Sequence, residues 1–444
     1  MPDDSISLRL SILRWSETRK WTRTAGLLRF EDIPTDWHTL RLGDCLEYVV
    51  AKELVIDEQE YPMAGVRLYG NGIYHRESVL GKDQSSRYLT RLIPNSLVYN
   101  RLFAWRGTFA VTTSEEEHLF VSNEFPQFVV DESVVLPEYL KILFTSARIL
   151  LVVKAASVGS SAISRNRFKE EEFLDFKVPI PPLPTQASIV KMLSNAQNDA
   201  FNSVKLLDEA AGEIDSFLRS KTNNFHEVTE SSVFRANYSK LQQWDTKAGR
   251  AAAFITANPD FIRLGDFTEE GIESVRASDE PEKEWPIYGV NNKTGVFLST
   301  MQLGKDFNMP YKKIKKDYFF HNPTRANVGS LGIVGDVPED AITSPEYQVW
   351  KLTGGFLPDF MALLVRTKYF LSLVAFNRVG GVKQRMYYAN LAEIRLPIID
   401  MDVQEDFANR RSDILAKIES ANIELVKRKI EIEEMILGTK PVPR

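Results

Sequence analysis

A single cysteine, Cys45, serves 444 residues. No disulfide can therefore form within the chain, and no cysteine cluster can hold a metal. Long apolar runs are also missing: none reaches the roughly 18 residues that a membrane span needs. The N-terminal stretch has two early acids, Asp3 and Asp4, and no apolar block before a small-residue cleavage site, unlike a secretory leader. These features point to a soluble protein of a reducing cytoplasm. Excess positive charge is absent too. The net charge is −5, so any nucleic-acid binding must rest on local basic patches. The rest is ordinary: 43% hydrophobic and 26% charged residues suit a globular chain of two or three domains.

Catalytic signatures are missing as well. The five histidines (His38, His75, His118, His226 and His321) are scattered, with no His-x-x-x-His pair to face a metal from one helix. An amino-methyltransferase needs Asn or Asp before Pro-Pro-aromatic to hold a flipped base. His321-Asn322-Pro323-Thr324 comes nearest but lacks the second Pro and the aromatic. Gly70-Asn71-Gly72 lacks the third glycine of a dinucleotide loop, and Gly329-Ser330-Leu331-Gly332 lacks the Lys-Ser/Thr of a phosphate loop. Glu115-Glu116-Glu117-His118 has metal-ligand residue types, but an acidic run is ordinarily a solvated loop. The expectation is a chain with no metal, no cofactor and no catalysis of its own.

What is present is a duplication. Arg41-Leu42-Gly43-Asp44 recurs as Arg263-Leu264-Gly265-Asp266, and Tyr61-Pro62 with Gly65-Val66 as Trp285-Pro286 with Gly289-Val290. Leu80-Gly81-Lys82-Asp83 recurs as Leu303-Gly304-Lys305-Asp306. Val178-Pro179-Ile180 with Gln186 recurs as Leu396-Pro397-Ile398 with Gln404. The offsets are 222 (41 to 263), 224 (61 to 285), 223 (80 to 303) and 218 (179 to 397). Leu13-Arg14-Trp15 and Leu241-Gln242-Gln243-Trp244 are a weaker further match. A period this long is a tandem domain repeat, not a solenoid.

Each half opens with short apolar runs between turns, such as Phe128-Val129-Val130 and Tyr318-Phe319-Phe320, which predict strands. Helical stretches follow at Pro137–Leu151 and Pro358–Ala375, each opening with Pro and an acid. After a Gly-containing loop and a Pro-ended strand comes a long helix. In the first, Ile189, Leu193, Ala196, Ala200, Ser203, Leu207, Ala210, Ile214 and Phe217 fall at alternating steps of four and three, a heptad seam. In the second, seven of nine equivalent positions suit a seam, with Arg411 and Arg428 as exceptions. A stripe so narrow suits a helix partner better than a broad core, so the two helices are expected to pair. The expected layout is α/β (α+β). A first domain spans residues 1–180, a helix 185–222, a second domain 228–398 and a second helix 402–438, with the linker near Val228–Ser232.

At these residues the chain resembles the specificity subunits of type I restriction-modification systems. Ile33-Pro34-Thr35-Asp36-Trp37 before Arg41-Leu42-Gly43-Asp44 looks like the opening of such a target recognition domain. Tyr61 to Gly72, Trp285 to Gly295, and Ser344-Pro345-Glu346-Tyr347 resemble further segments. Val178-Pro179-Ile180-Pro181-Pro182-Leu183-Pro184-Thr185-Gln186 looks like the junction with a spacer helix; Ile399-Asp400-Met401-Asp402 lacks that proline run. The resemblance implies a non-catalytic reader of a split target in double-stranded DNA. It implies antiparallel spacer helices of roughly 54 Å that set the gap between half-sites. Two copies of an adenine methyltransferase using S-adenosylmethionine would dock on it, and an ATP-dependent restriction subunit could join. A specificity-like adaptor of another defence complex, a self-contained methyltransferase or nuclease, and a scaffold without nucleic acid remain as alternatives.

Base reading needs Arg, Lys, Asn or Gln on loops that reach groove edges, with cations on phosphates. Three places offer this. One is the run Lys312, Lys313, Lys315 and Lys316 with Arg325 and Asn327. Another is the loop carrying Lys383, Gln384 and Arg385, matched in the first half by Gly159 through Arg165. The third is the turn at Asn71, with its counterpart Asn291, Asn292 and Lys293. Arg101 and Arg106 flank Trp105 and either touch the DNA backbone or stack on the ring.

Overall fold

The computed structural model describes residues 33–157, 167–222, 233, 235–240, 249, 260–380 and 383–442. The segments 1–32 and 241–248, the linker near Val228–Ser232, the glycine loop with Arg165, and Gly381-Val382 lie outside them. Two compact units share the chain. One holds the residues up to Asp199 together with those from Asn422 onward; the other is Ala200–Ala421.

The duplication holds strand by strand. The first unit has β1 (His38–Arg41), β2 (Leu46–Val49), β3 (Lys52–Leu54), β4 (Glu60–Val66), β5 (Ile73–Leu80), β6 (Tyr88–Arg91), β7 (Ser96–Tyr99), β8 (Phe109–Val111), β9 (Phe120–Val121), β10 (Gln127–Val130) and β11 (Lys177–Ile180). They form a pair β1-β11, a four-stranded sheet β2-β10-β7-β8 and a five-stranded sheet β3-β6-β9-β4-β5. The second unit has β12 (Ile262–Arg263), β13 (Thr268–Glu270), β14 (Ser274–Val275), β15 (Glu284–Asn291), β16 (Gly295–Leu303), β17 (Tyr311–Lys313), β18 (Phe319–His321), β19 (Leu331–Ile333), β20 (Ile342–Thr343), β21 (Gln348–Leu352) and β22 (Arg395–Leu396). Its sheets are β12-β22, β13-β21-β18-β19 and β14-β17-β20-β15-β16. Every strand is matched by the strand eleven places on. Even the bulges match: the β4–β5 register shifts at Met63/Ala64 and the β15–β16 register at Ile287/Tyr288.

The repeated motifs have physical reasons. Leu42 and Leu264 are fully buried, and their amides bind the Phe176 and Ile394 carbonyls at 2.9 and 2.8 Å. Gly81 and Gly304 are required by close backbone approach, since a Cβ there would overlap the carbonyl oxygens of Ile56 and Glu280. Tyr61 and Trp285 are buried anchors on β4 and β15.

The expected single helices after the sheets are each broken in two: α1 (Pro137–Leu143) with α2 (Ala147–Ala156), and α5 (Pro358–Leu364) with α6 (Lys368–Asn377). Hydroxyls mark the breaks. Thr145 and Ser146 donate back to the Lys141 and Leu143 carbonyls at 2.8 and 2.9 Å. Thr367 donates to the Leu364 carbonyl and accepts from the Phe370 amide, capping α6. Short α3 (Glu170–Leu174) and α7 (Tyr388–Ala392) precede the last strands.

The long helices are α4 (Leu183–Lys221) and α8 (Met401–Ile436). Gln186 is fully buried; its Oε1 accepts from the Leu136 amide at 2.7 Å and its Nε2 donates to the Val134 and Pro181 carbonyls. Gln404 repeats this on Leu357, Gly355 and Ile399. Each glutamine thus ties its helix start to the domain before it. Pairing is antiparallel in each unit. In the first, Ile189 and Leu193 share a core with Ile432 and Ile436. In the second, Ala210, Ile214 and Leu218 share one with Phe407 and Ile414, and Arg410 grips Glu213 with two 2.7 Å bonds. The seam exceptions are paired: Arg411 with Asp359 of α5 and Arg428 with Glu424 and Glu431. Both cores also include their own sheet domain, so the helices are at once partners and domain walls.

Candidate nucleic-acid interface

In the second unit three turns come together. The first joins β15 to β16: Asn291 Oδ1 accepts from the amides of Lys293 and Thr294, both at 2.8 Å. This Asx turn leaves Asn292 and Lys293 at the exposed tip. The second joins β18 to β19. Asn322 Oδ1 accepts from the Thr324 amide at 3.0 Å, and Gly329 closes the turn at φ +88°. A Cβ on Gly329 would stand 3.2 Å from the Cβ of Asn292, so these two turns abut. The third is the loop before α7. Arg385 and Val379 exchange backbone bonds of 2.7 and 2.8 Å, and the Met386 amide donates to the Pro323 carbonyl at 2.8 Å. Asn292, Lys293, Arg325 and Lys383 are exposed, and Asn291, Asn327, Gln384 and Arg385 half-buried. Among the described residues Lys293, Arg325, Lys383 and Arg385 have no ion pair, so their charges are open to an anion.

The lysine run behaves otherwise. Lys313 and Lys315 both sit on Glu273, at 3.2 and 2.7 Å, and Lys316 on Asp336 at 2.8 Å. Those lysines hold the Glu273 carboxyl below its usual range, the Lys315 bond most of all. Lys312 is half-buried on β17, and desolvation lowers its basicity. Three of the four lysines are therefore already paired, sharing two acids more than ten residues away, which spacing alone cannot reveal.

The first unit has the same turns with different side chains. Tyr69 and Gly70 take left-handed conformations, φ +59° and +70°. The Gly70 amide binds the Gly107 carbonyl at 2.8 Å, so the β4–β5 turn abuts the β7–β8 turn. Asn71 spends its side-chain amide on the Leu68 carbonyl at 2.9 Å. Arg106 lies over the Trp105 ring at 4.8 Å, and Lys154 of α2 approaches it at 5.5 Å. Arg101 takes neither expected role. Its guanidinium, 15% exposed, grips Glu170 at 2.6 and 2.8 Å and the Asn123 carbonyl. Burial raises and the Arg101 bond lowers the Glu170 pKa, and the bond prevails. Arg101 is a structural strut, not an open cation.

Two sets of residues escaped the sequence reading. The offset of 218 that joins Pro179 to Pro397 also carries Arg385 back to Arg167, which lies 2.8 Å from Glu124. The other set is the buried pair Tyr99 and His321, which hold the third turn from below. Glu115 and Glu116 prove to be turn residues, with Glu116 completing a capping box on Thr113. Among the described residues no group of three or more His, Cys, Asp or Glu side chains could hold a metal. No helix there is long and apolar enough to cross a membrane.

Residues 34–209 match the family model described as type I restriction modification DNA specificity domain. The chain is similar to the type I restriction enzyme MjaVIII specificity subunit of Methanocaldococcus jannaschii, 20% identical over 424 residues, covering 90% of this chain and 92% of the relative. Among solved structures it resembles the HsdS subunit from Thermoanaerobacter tengcongensis, at 13% identity and a TM-score of 0.36, covering 92% and 98% of the two chains. It also resembles the type I S subunit from M. genitalium, at 13% and 0.39, covering 94% and 99%. Overlays this loose transfer no residue positions. The first half thus matches a type I restriction modification DNA specificity domain, the second half repeats its strand order, and most of the chain is similar to a type I restriction enzyme specificity subunit.

Proposed function

We propose that this chain reads a bipartite target in double-stranded DNA, one half-site per sheet domain, and performs no chemistry itself. The observation that carries this is a scaffold with the same strand order in both halves, whose turns carry different side chains. One topology with different tips is what two unlike half-sites require. In the second half the open cations Lys293, Arg325, Lys383 and Arg385, beside Asn292, Asn327 and Gln384, offer phosphate and base-edge partners. In the first half the tips are aromatic and cationic: Tyr69, Trp105, Arg106 and Lys154.

Methylation and cleavage fall to partners: two copies of an adenine methyltransferase that bring S-adenosylmethionine, and an ATP-dependent restriction subunit. Supporting a docked partner, Ile423, Val426 and Ile430 lie exposed on one face of α8, 55–62% accessible. Val426 and Ile430 line a cleft of about 360 Å³ with Leu193, Ile142 and Tyr69. DNA and these partners place the chain in the cytoplasm. The paired helices would set the gap between half-sites. The test is methylome mapping with and without this chain in its native host. Loss of methylation at one split sequence is expected; an unchanged methylome overturns the reading.

A further inference from the structure

Tyr99 and His321 end β7 and β18, the same place in the two halves, and both are fully buried. His321 Nε2 lies 2.9 Å from the Met386 carbonyl oxygen. A carbonyl only accepts, so Nε2 carries the hydrogen and Nδ1 is a bare lone pair, buried without a partner. Met386 in turn donates its amide to the Pro323 carbonyl at 2.8 Å, and Arg385 exchanges both of its backbone groups with Val379. All four backbone polar groups of residues 385 and 386 are therefore fixed. The first half repeats the clamp with other chemistry. Tyr99 Oη donates to the Phe168 carbonyl at 3.1 Å, and the Phe168 amide donates to the Arg101 carbonyl at 3.0 Å. A phenol and an imidazole differ in shape, size and polarity. What the duplication keeps is the hydrogen bond, across 69 residues in one half and 65 in the other.

Each clamp sits one residue after an arginine, Arg167 or Arg385. Met386 is fully buried while Arg385 is half-buried and has no ion pair among the described residues. An arginine reading DNA must be held to within about 0.5 Å by groups behind it. We propose that His321 is the positioning residue for Arg385, fixing the base of its side chain for contact with DNA, and that Tyr99 does the same for Arg167. This rests on the DNA-reading function proposed above. Without the donor, the buried Met386 carbonyl is left unsatisfied and the 383–386 backbone turns toward water. Arg167 is also held by Glu124, so the second half depends more on its clamp.

The test uses the full chain assembled with its modification subunit, and duplex oligonucleotides carrying the methylated target or single-base changes in either half-site. His321→Phe keeps a ring and removes the donor; His321→Gln keeps a donor near the Nε2 position and removes the ring. His321→Phe is expected to weaken binding about tenfold and to relax base preference in one half-site only, with His321→Gln within about threefold of the parent. Equal behaviour of the two variants, or equal change in both half-sites, overturns the proposal. If His321→Phe does not fold, Tyr99→Phe removes a single oxygen from a cluster of rings. Relaxed preference in the other half-site supports the clamp, and an unchanged preference overturns it. Failure of the parent complex to methylate any split target would instead sink the DNA-reading function itself.

Discussion

The two halves differ where they meet solvent and agree where they meet each other's counterpart in sequence. β4 and β15 share a buried aromatic anchor, a bulge and a glycine-tight turn partner. The turns above them share neither composition nor charge. Tyr69-Gly70-Asn71 is equivalent to Asn291-Asn292-Lys293, and Phe103 and Trp105 to Arg325 and Asn327, at the offset of 222. In the first half Arg101 is closed by Glu170 and Arg167, though exposed, shares its charge with Glu124; the second half leaves Arg325 and Arg385 without an ion pair among the described residues. Duplication has preserved the strand order and varied the turns, which on the proposed function would let one frame read two sequences.

The shared frame should break alike in both halves. Gly81→Ala and Gly304→Ala each drive a methyl into a carbonyl oxygen, and overpacking of backbone against backbone costs about 3 kcal/mol or more. Urea midpoints should fall similarly for both; a harmless substitution in either half would deny that the turns are equivalent.

Acid should separate the halves. Burial pushes the His321 ring down to about 4, opposed by its bond to Met386 and aided by the charge of Lys312. The folded state therefore disfavours the charged ring, while the unfolded chain binds a proton below its ordinary 6.5. Stability is full above pH 6.5 and declines as pH falls toward 4, by about 3 kcal/mol at most. Tyr99 has no such titration there. Denaturant midpoints across this window should drop for the parent and drop less for His321→Gln. Parallel curves would contradict the assignment.

Open and closed cations should also part company. Arg385→Ala should weaken DNA binding by about 1–3 kcal/mol if it reads a base, or lower the salt slope by about 0.9 if it holds a phosphate. Lys315→Ala, whose charge rests on Glu273, should change affinity less than about threefold. Binding titrations over a salt series decide this, and an equal effect of the two substitutions would erase the distinction.

Much of the frame was legible because it is written in short-range signals. The seams forecast α4 and α8 to within two residues at each end, and the repeated Gln186 and Gln404 flagged junctions that prove to be hydrogen-bonded locks. The helix breaks at Thr145 and Thr367 were not read, since apolar periodicity continues through them while the hydroxyls act on the backbone. The site was less legible. Lys313, Lys315 and Lys316 looked like a basic patch because Glu273 and Asp336 approach only in the fold. Arg165 stands out beside the glycine loop while Arg167 does not, although the offset of 218 carries both onto the Lys383–Arg385 loop. The clamp was hidden because Tyr99 and His321 are unlike residues; only the bond they make is the same.

The central claim is that the frame is common and the tips specify. It is tested most directly by mapping genome methylation after replacing only the second half's tips, residues 291–294, 325–328 and 383–385, with those of a relative. The account predicts a target changed in one half-site, with the other half-site and the gap between them kept. A target unchanged, or altered in both halves, would contradict it.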